Sequence, residues 1–373
     1  MTSWKESSLG EVCELYQPKT LSSAELVQEG AYLVYGANGV IGRHNEFNHE
    51  TAEVMVTCRG ATCGTVNVSE PKSWINGNAM VVKPRNGALD FNFLQHLLRG
   101  GVDFSAAITG AAQPQITRQS LAPIRFSYPE PPEQRRIAAI LDKAEVLRTK
   151  RHEALAQLGR LAQAIFVEMF GDPTTNPNGW HRKRLDELVP ADDSINYGVV
   201  QPGDDVEQGV PLVRVGDLLN GNVRHEALKR IAPEIERAYQ RSRLKGDEIL
   251  VSCVGTVGVV ALASHRERGF NIARAVARIR VGGETDREFV AAQLGTNAVQ
   301  RYFTQELRTV SQPTLNIKQI AETQMLCPPL TMQREFASRL NAVRANRARL
   351  IESSELTEAM IRSIQHRAFR GEL

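Results

Sequence analysis

The chain is poor in cysteine and has no long apolar run. Its 373 residues include five cysteines with no Cys-x-x-Cys pair, namely Cys13, Cys58, Cys63, Cys253 and Cys327. This pattern does not indicate a disulfide framework. No apolar run reaches the roughly 18 residues of a membrane helix, and Met1–Glu6 lacks the apolar core of a signal peptide. We therefore expect a cytoplasmic protein with free thiols and no membrane contact.

Several enzyme signatures are also missing. Gly36, Gly39 and Gly42 have the wrong spacing for a dinucleotide-binding loop, and the sequence contains no Gly-x4-Gly-Lys-Ser/Thr phosphate loop. The nearest segment to the Asn/Asp-Pro-Pro-Tyr/Phe motif of an adenine methyltransferase, Asn176-Pro177-Asn178, does not match it. The histidines show no metal-ligand spacing. We therefore predict neither a catalytic site nor a metal site.

One long stretch, from Pro129 to Asp172, has the pattern of a single helix. Prolines precede it, Glu133 lies in its first turn, and Gly171 and Pro173 follow its last turn. Apolar residues recur at helical spacing: Ile137, Leu141, Ala144, Leu147, Leu155, Leu158, Leu161, Ile165 and Met169. Such a helix would be roughly 55–60 Å long, which suggests that it connects two bodies.

The same stretch occurs a second time. Gln333 lies 199 positions after Gln134. At this offset the whole run from Pro328 to Phe369 aligns with the first stretch without insertion. Upstream, Gln113-Pro114-Gln115-Ile116 aligns with Gln312-Pro313-Thr314-Leu315. A repeat of this period indicates two halves, each made of a globular domain and a helix.

The globular parts share an order of elements and have little local identity. The first half shows strands at Ala31–Tyr35, Glu53–Cys58 and Ala79–Pro84, a glycine-rich turn over Gly36–His44, a helix at Asp90–Arg99 and a last strand at Ile124–Phe126. The counterparts in the second half are Pro211–Asp217 for the first strand and turn, Asp247–Cys253, Ala275–Ile279 and Asp286–Leu294. We predict an α+β protein with an internal repeat.

With these motifs in this order, the chain resembles the specificity subunit of type I restriction–modification systems. The residues that carry the resemblance are Gln113-Pro114-x-Ile116, Pro131–Ile137, Leu141-Asp142, Gln312-Pro313-x-Leu315, Pro328-Pro329-Leu330-x-x-Gln333-Arg334 and Phe369–Leu373. Met332 and Phe336 depart from the glutamate and isoleucine that the family shows, so we expect slightly different partner contacts there.

The resemblance implies two target-recognition domains, at residues 1–130 and 173–329, and two conserved spacer helices, at residues 131–172 and 330–373. The helices would pair antiparallel as a coiled coil. Each domain would read one half of a split target in double-stranded DNA, and a fixed spacer would set the distance between the half-sites. The helices would dock two methyltransferase subunits, and restriction subunits would join them. The chain itself would bind no cofactor, and S-adenosylmethionine, ATP and Mg would belong to the partners.

Base reading requires side chains with paired donors and acceptors, such as Arg for guanine and Asn or Gln for adenine. Such residues lie on the predicted polar turns. The DNA-binding candidates are Tyr35, Asn38, Arg43, His44, Arg59, Thr62, Asn76, Asn78, Gln113, Gln115 and Arg118 in the first half, and Arg214, Asp217, Asn220, Asn222, Arg224, Thr256, Arg274, Gln312, Thr314, Asn316 and Lys318 in the second. Any one of them can instead be a turn former or a solvated loop residue.

Alternatives remain at this point. Gln113 and Gln312 recur in both halves, so they either read DNA or stabilise the domain junction. The net charge of +3 neither requires nor excludes nucleic acid, because binding depends on a local basic face. Two other functions compete with DNA recognition: a self-contained DNA-modifying enzyme, which would bind S-adenosylmethionine, and a protein scaffold that does not read DNA.

Overall fold

In the computed structural model, residues 4–110, 113–309 and 312–373 are described, and the chain forms two compact units. Unit 1 consists of Met1–Glu153 and Ile351–Leu373, and unit 2 consists of Ala154–Leu350. Both combine helices with small, mainly antiparallel sheets, as the predicted α+β class requires. The boundary between the units passes through both long helices, so the division into four segments stays a prediction.

Unit 1 is built on two sheets. In the four-stranded sheet the order is Cys13–Tyr16, Ala79–Pro84, Val54–Thr57 and Val66–Val68, and in the three-stranded sheet Tyr32–Gly36 lies between Gly39–His44 and Trp74–Ile75. Val54–Thr57 is buried throughout, as expected of a central strand rich in β-branched residues. The strands are β1 (Lys5–Ser8), β2 (Cys13–Tyr16), β3 (Tyr32–Gly36), β4 (Gly39–His44), β5 (Val54–Thr57), β6 (Val66–Val68), β7 (Trp74–Ile75), β8 (Ala79–Pro84) and β9 (Arg125–Tyr128). The helices are α1 (Leu9–Val12), α2 (Phe91–His96) and α3 (Arg118–Leu121).

Two helices dominate the chain. The predicted first long helix is confirmed as α4 (Pro131–Phe170), with 40 residues. It ends at Gly171, whose φ of 79° is unfavourable for other residues, and a Cβ there would lie 2.4 Å from Pro177 Cγ.

Unit 2 repeats the sheet pattern. In its four-stranded sheet the order is Asn196–Tyr197, Val276–Ile279, Ile249–Ser252 and Val260–Leu262, and in its three-stranded sheet Val210–Val213 lies between Lys229–Ile231 and Asn271–Ile272. Its strands are β10 (Arg182–Arg184), β11 (Asn196–Tyr197), β12 (Val210–Val213), β13 (Leu218–Leu219), β14 (Asn222–Val223), β15 (Lys229–Ile231), β16 (Ile249–Ser252), β17 (Val260–Leu262), β18 (Asn271–Ile272), β19 (Val276–Ile279), β20 (Arg308–Thr309), β21 (Pro313–Thr314) and β22 (Gln324–Leu326). Its helices are α5 (Pro233–Arg237), α6 (Arg287–Leu294), α7 (Asn297–Gln305) and α8 (Ile317–Ala321), and the long α9 (Leu330–Ala368), with 39 residues, follows them.

The predicted glycine-rich turn over Gly36–His44 is wrong in extent. The structure has a two-residue turn at Ala37 and Asn38, after which Gly39–His44 continues as strand β4. In unit 2 the strands that correspond in sheet order, β12 and β15, are separated by a longer segment that contains the β13–β14 hairpin. Pro211–Asp217 therefore matches the first strand of unit 1 and lacks its tight turn.

The two long helices contact each other in opposite directions within each unit. In unit 1, Arg136 donates to the carbonyl of Leu373 at 3.0 Å, and Arg151 donates to Ser353 Oγ at 2.6 Å. In unit 2, the rings of Phe166 and Phe336 are 5.6 Å apart. Each unit thus contains the end of one long helix and the beginning of the other.

The expected change in partner contacts at Phe336 is wrong. Phe336 is completely buried and its ring packs against Phe166, Phe170 and Phe289. Met332 is half-buried against the same core. The replacement of isoleucine by phenylalanine therefore fills the interior of unit 2, and it does not alter an exposed docking surface.

Candidate nucleic-acid interface

One end of the four-stranded sheet in unit 1 carries loops joined by three backbone hydrogen bonds. The N–H of Cys58 donates to the carbonyl of Asn78 at 3.0 Å, and the N–H of Ile116 donates to the carbonyl of Cys58 at 2.9 Å. The N–H of Gly60 donates to the carbonyl of Pro114 at 3.0 Å. We call this set of bonds the loop frame. It brings the end of β5, the residue before β8 and the Gln-Pro motif together.

Unit 2 has the same loop frame. The N–H of Cys253 donates to the carbonyl of Ala275 at 2.7 Å, and the N–H of Leu315 donates to the carbonyl of Cys253 at 2.9 Å. The N–H of Gly255 donates to the carbonyl of Pro313 at 3.1 Å. The Gln-Pro motif therefore recurs because its proline carbonyl, and the buried residue two positions later, complete the frame in each unit.

In unit 1 the frame gathers half of the sequence-predicted residues. Arg59 forms a β-bridge with Gln115, and the hydroxyl of Thr57, at the end of β5, lies 3.3 Å from Asn38 Oδ1. All of the gathered residues are exposed. We call them the polar edge of unit 1: Asn38, Arg59, Thr62, Asn78, Gln113 and Gln115.

The corresponding edge of unit 2 gathers fewer hydrogen-bonding side chains. Thr314 forms a β-bridge with Val254, and the N–H of Arg274 donates to the carbonyl of Val199 at 2.8 Å. Arg214 follows Val213, at the end of β12. The polar edge of unit 2 consists of Arg214, Thr256, Arg274, Gln312 and Thr314.

The thiols inside both frames are neutral near pH 7. Burial raises the pKa of Cys58 to about 11, even though the neighbouring Arg59 charge acts in the opposite direction. Burial also raises the pKa of Cys253 to about 12. Because neither thiol carries charge, the electrostatic character of each edge is set by its arginines. The positive charge of these arginines is suited to bind a phosphate group or the edge of a base.

Gln113 and Gln312 are both exposed. Within the part of the chain that the structure describes, neither side chain makes a hydrogen bond. Among the described residues, the bonds at this position are accepted by the backbone carbonyls of Pro114 and Pro313. This favours the recognition role for the two glutamines.

Three predicted DNA contacts are corrected, because their side chains are buried and used inside the protein. The Tyr35 hydroxyl accepts from the N–H of Glu70 at 3.1 Å. Asn76 bonds both backbone polar groups of Leu21, at 2.6 and 3.2 Å. Asp217, 1% exposed, accepts from the backbone N–H and the guanidinium of Arg214. These residues support turns and do not reach a surface ligand.

Four further candidates lie away from the polar edges. Arg43 and His44 pair with the beginning of β3, at the far end of the hairpin from Asn38. Asn220 and Asn222 belong to the β13–β14 hairpin. The Gly221 carbonyl of this hairpin accepts from the N–H of Leu262, which pairs with the first residue of β16, whereas the loop frame lies at the other end of β16. In addition, Asn220 Oδ1 accepts from Arg347 at 3.3 Å. The sequence grouped these four residues with the others only because they occur on polar turns.

The remaining candidates flank the edges. Arg118 and Lys318 are exposed in the first turns of α3 and α8, directly after the frame. Asn316 caps α8 by accepting from the N–H of Gln319 at 3.1 Å, so its side chain has a structural role. Arg224 is exposed. Its N–H donates at 2.7 Å to the carbonyl of Asp217, whose side chain bonds Arg214, so Arg224 lies close to Arg214.

The sequence did not indicate two residues that support these edges. Gln17 is exposed and donates to the carbonyl of Gly77 at 3.0 Å, beside Asn78. Gln300, on α7, donates to the carbonyl of Gly258 at 2.9 Å and so supports the loop that carries Thr256. Neither belongs to a motif, and their partners are 60 and 42 positions away. No local signal could have identified them.

Across residues 4–110, 113–309 and 312–373, no group of three or more His, Cys, Asp and Glu side chains is arranged to hold a metal ion. None of the helices in these ranges has an apolar stretch long enough to span a membrane.

The family model for the type I restriction modification DNA specificity domain matches residues 1–157 and 177–358. The chain belongs to this family. It is 28% identical over 378 residues to the type I restriction enzyme EcoBI specificity subunit of Escherichia coli, covering 93% of this chain and 76% of that protein. It is 26% identical over 147 residues to the EcoprrI specificity subunit of Escherichia coli, covering 38% of this chain and 36% of that protein.

Two solved structures share the fold over nearly the whole chain. The S subunit of a type I restriction-modification system from M. genitalium aligns with a TM-score of 0.61 and 15% identity, covering 99% of this chain and 96% of that one. A chain from a study of complex assembly and conformational transition of the type I R-M system aligns with a TM-score of 0.58 and 18% identity, covering 99% and 98%.

Proposed function

We propose that this chain is the sequence-specific DNA-recognition subunit of a type I restriction–modification complex. The observation that carries the proposal is the recurrence of one loop frame in both units, each with a polar edge. Two edges of the same construction, with different side chains, are suited to two different half-sites of one split target. Family membership supports the same function.

In this proposal the chain carries no catalytic group and no cofactor, and it acts in the cytoplasm. Methyl transfer, with S-adenosylmethionine, belongs to partner methyltransferase subunits, and ATP and Mg belong to restriction subunits. The two long helices form an antiparallel coiled coil as the spacer between the recognition domains. The opposite-direction contacts inside each unit support this pairing.

The long helices also offer a docking surface for the methyltransferase subunits. On α4 a stripe of exposed residues begins and ends with a basic residue, and its middle holds a small, a basic and an apolar residue: Arg135, Ala139, Lys143, Val146 and Lys150. These positions lie within an arc of about 80° and along about 22 Å of helix. Val146, in the middle of this stripe, is 52% exposed.

The same stripe recurs on α9. It consists of Arg334, Ser338, Ala342, Ala345 and Arg349, all exposed, at the repeat offset from the first stripe. Within the described residues, none of the four terminal basic side chains makes a hydrogen bond or an ion pair. We call these two surfaces the docking stripes. Because they match, they suit two copies of the same partner, each adding a helix with acidic residues at both ends of the contact.

A methylome tests the proposed function. The chain would be expressed with its candidate methyltransferase, and modified adenines would be mapped in the genome with and without it. We expect a new split motif, two short half-sites around a fixed gap, only when the chain is present. If the partner is bound and active and no such motif forms, the recognition function is excluded and the protein scaffold remains.

A further inference from the structure

The loop frame places three pairs of side chains at equivalent positions in the two units. In unit 1, Arg59 forms a β-bridge with Gln115, and in unit 2, Val254 forms the equivalent β-bridge with Thr314. The carbonyls that accept from the two frame cysteines belong to Asn78 in unit 1 and to Ala275 in unit 2. All the frame bonds are made by backbone atoms, so these three positions can change without loss of the frame.

The chemistry at the three positions differs sharply between the units. In unit 1 they carry a guanidinium and two amides, and all three side chains are exposed. None of these side chains donates or accepts a hydrogen bond within the described part of the protein. In unit 2 the positions carry Val254, Ala275 and Thr314, whose side chains contain methyl groups and are half-buried. Val254 also packs against the core of unit 2, and the Thr314 hydroxyl donates to the carbonyl of Gln312 at 3.2 Å.

We infer that these framed positions determine base specificity, and that the two units read different chemical features of DNA. Unit 1 reads the hydrogen-bonding edges of purines, with Arg59 for guanine and with Asn78 and Gln115 for adenine. At the same positions unit 2 reads the methyl groups of thymine by apolar contact. This inference rests on the proposed function and adds which residues specify each half-site.

The side chains outside the frame do not remove this contrast. Arg274 is exposed next to Ala275, but its N–H bonds to Val199 and it lies outside the three framed positions. In unit 1 the corresponding neighbour of Asn78 is Gly77, which has no side chain. Arg274 therefore provides an additional contact in unit 2, outside the three framed positions.

The test uses the full chain in complex with its methyltransferase and compares methylomes. The variant Arg59→Val, Asn78→Ala, Gln115→Thr gives unit 1 the side chains of unit 2. We expect one half-site to lose discrimination at its purine positions, by roughly 5- to 100-fold per contact, while the other half-site and the gap stay unchanged. An unchanged motif, at wild-type methylation levels, would overturn the inference.

A single substitution resolves the case in which the triple variant does not methylate at all. Arg59→Lys keeps the charge but loses the bidentate geometry that reads guanine. We expect relaxed discrimination at one guanine, with methylation retained. Arg43→Lys is the matched control, since Arg43 is an exposed arginine of the same unit away from the edge. Equal motifs for both lysine variants would refute the role of Arg59.

The methylome of the unaltered chain separates this inference from the proposed function. If the wild-type complex produces no split motif, the recognition function itself fails. If it produces one and the framed variants do not change it, the function holds and only the assignment of the specificity residues fails.

Discussion

Gln134 in unit 1 and Gln333 in unit 2 are both buried, and each makes the same pair of hydrogen bonds. Gln134 accepts from the N–H of Asp90 at 2.7 Å and donates to the carbonyl of Pro129 at 2.8 Å. Gln333 accepts from the N–H of Asp286 at 2.9 Å and donates to the carbonyl of Pro328 at 2.7 Å. Asp90 and Asp286 are the N-caps of α2 and α6. Each glutamine thus joins the first turn of a long helix to a domain helix.

Removal of either glutamine amide should destabilise its unit. Gln134→Leu or Gln333→Leu leaves a buried carbonyl and a backbone N–H without partners, at about 1–3 kcal/mol for each group. We expect a loss of about 2 kcal/mol or more in the free energy of unfolding, measured in urea. Gln157→Leu is the control, because Gln157 is exposed on α4 and should change stability by only about 0.5 kcal/mol. Equal stability for all three variants would contradict the structural role of the pair.

Reversal of charge at the docking stripes should change partner stoichiometry. Arg135→Glu repels an acidic helix end on one stripe only, so we expect one bound methyltransferase copy in place of two at limiting concentration. The double variant with Arg334→Glu should lose both copies, and each reversal should weaken binding by roughly tenfold or more. Native mass spectrometry measures the ratio directly. Arg362→Glu, exposed on α9 outside the stripe, should leave two copies bound, and the same loss there would disprove the location of the surface.

Asp193 should contribute its full stabilisation to unit 2 above about pH 4 and progressively less as the pH falls further. Burial opposes the charged carboxylate, but hydrogen bonds from Arg278, at 2.8 and 3.0 Å, outweigh burial and hold the pKa of Asp193 well below its usual range. A depressed pKa stabilises the fold above the unfolded-state value, near 3.9, and this contribution disappears as the pH falls towards the folded-state pKa.

The variant Asp193→Asn therefore tests the pair through its pH dependence. It leaves the buried Arg278 short of a counter-charge, so we expect a loss of about 3 kcal/mol at pH 7. Urea unfolding from pH 8 to pH 3 should show that this gap, the difference in the free energy of unfolding between the wild type and the variant, narrows below about pH 4. Asp192→Asn, at the exposed neighbouring position, should change stability little at any pH. A gap for Asp193→Asn that stays constant down to pH 3 would argue against the ion pair.

The cysteines should differ in reactivity according to burial. Burial raises the pKa values of Cys13 and Cys253 to about 12 and that of Cys58 to about 11, so their thiolates are scarce at pH 8. Cys63 and Cys327 are only half-buried. We expect iodoacetamide at pH 8 to alkylate these two cysteines first. Mass spectrometry of the labelled protein measures the order of alkylation. In urea all five should react. Early labelling of Cys58 in the native protein would show that the loop frame opens.

The repeat and the long helices could be predicted from the sequence because their signals are local or self-consistent. Apolar residues at helical spacing, together with a proline start and a glycine stop, define α4 over Pro131–Phe170. The matching Gln134 and Gln333 identified a shared motif, although their role became clear only from their partners. At the candidate site, the glycines and the Gln-Pro motif lie on loops that the frame joins.

The membership of each polar edge could not be predicted, because it depends on contacts between residues distant in the sequence. Asn76 and Asn78 are both asparagines on one turn, yet Asn76 is buried and bonded to the backbone of Leu21, while Asn78 is exposed. Asn220 has the composition of a recognition turn but contacts Arg347, 127 positions away. The amino-acid sequence by itself determined the repeat and the long helices, since these follow from self-similarity and local periodicity, whereas DNA as the ligand was implied only by the resemblance to a family. Only the tertiary structure decided which polar side chains remain free, since burial and hydrogen-bond partners are set by packing.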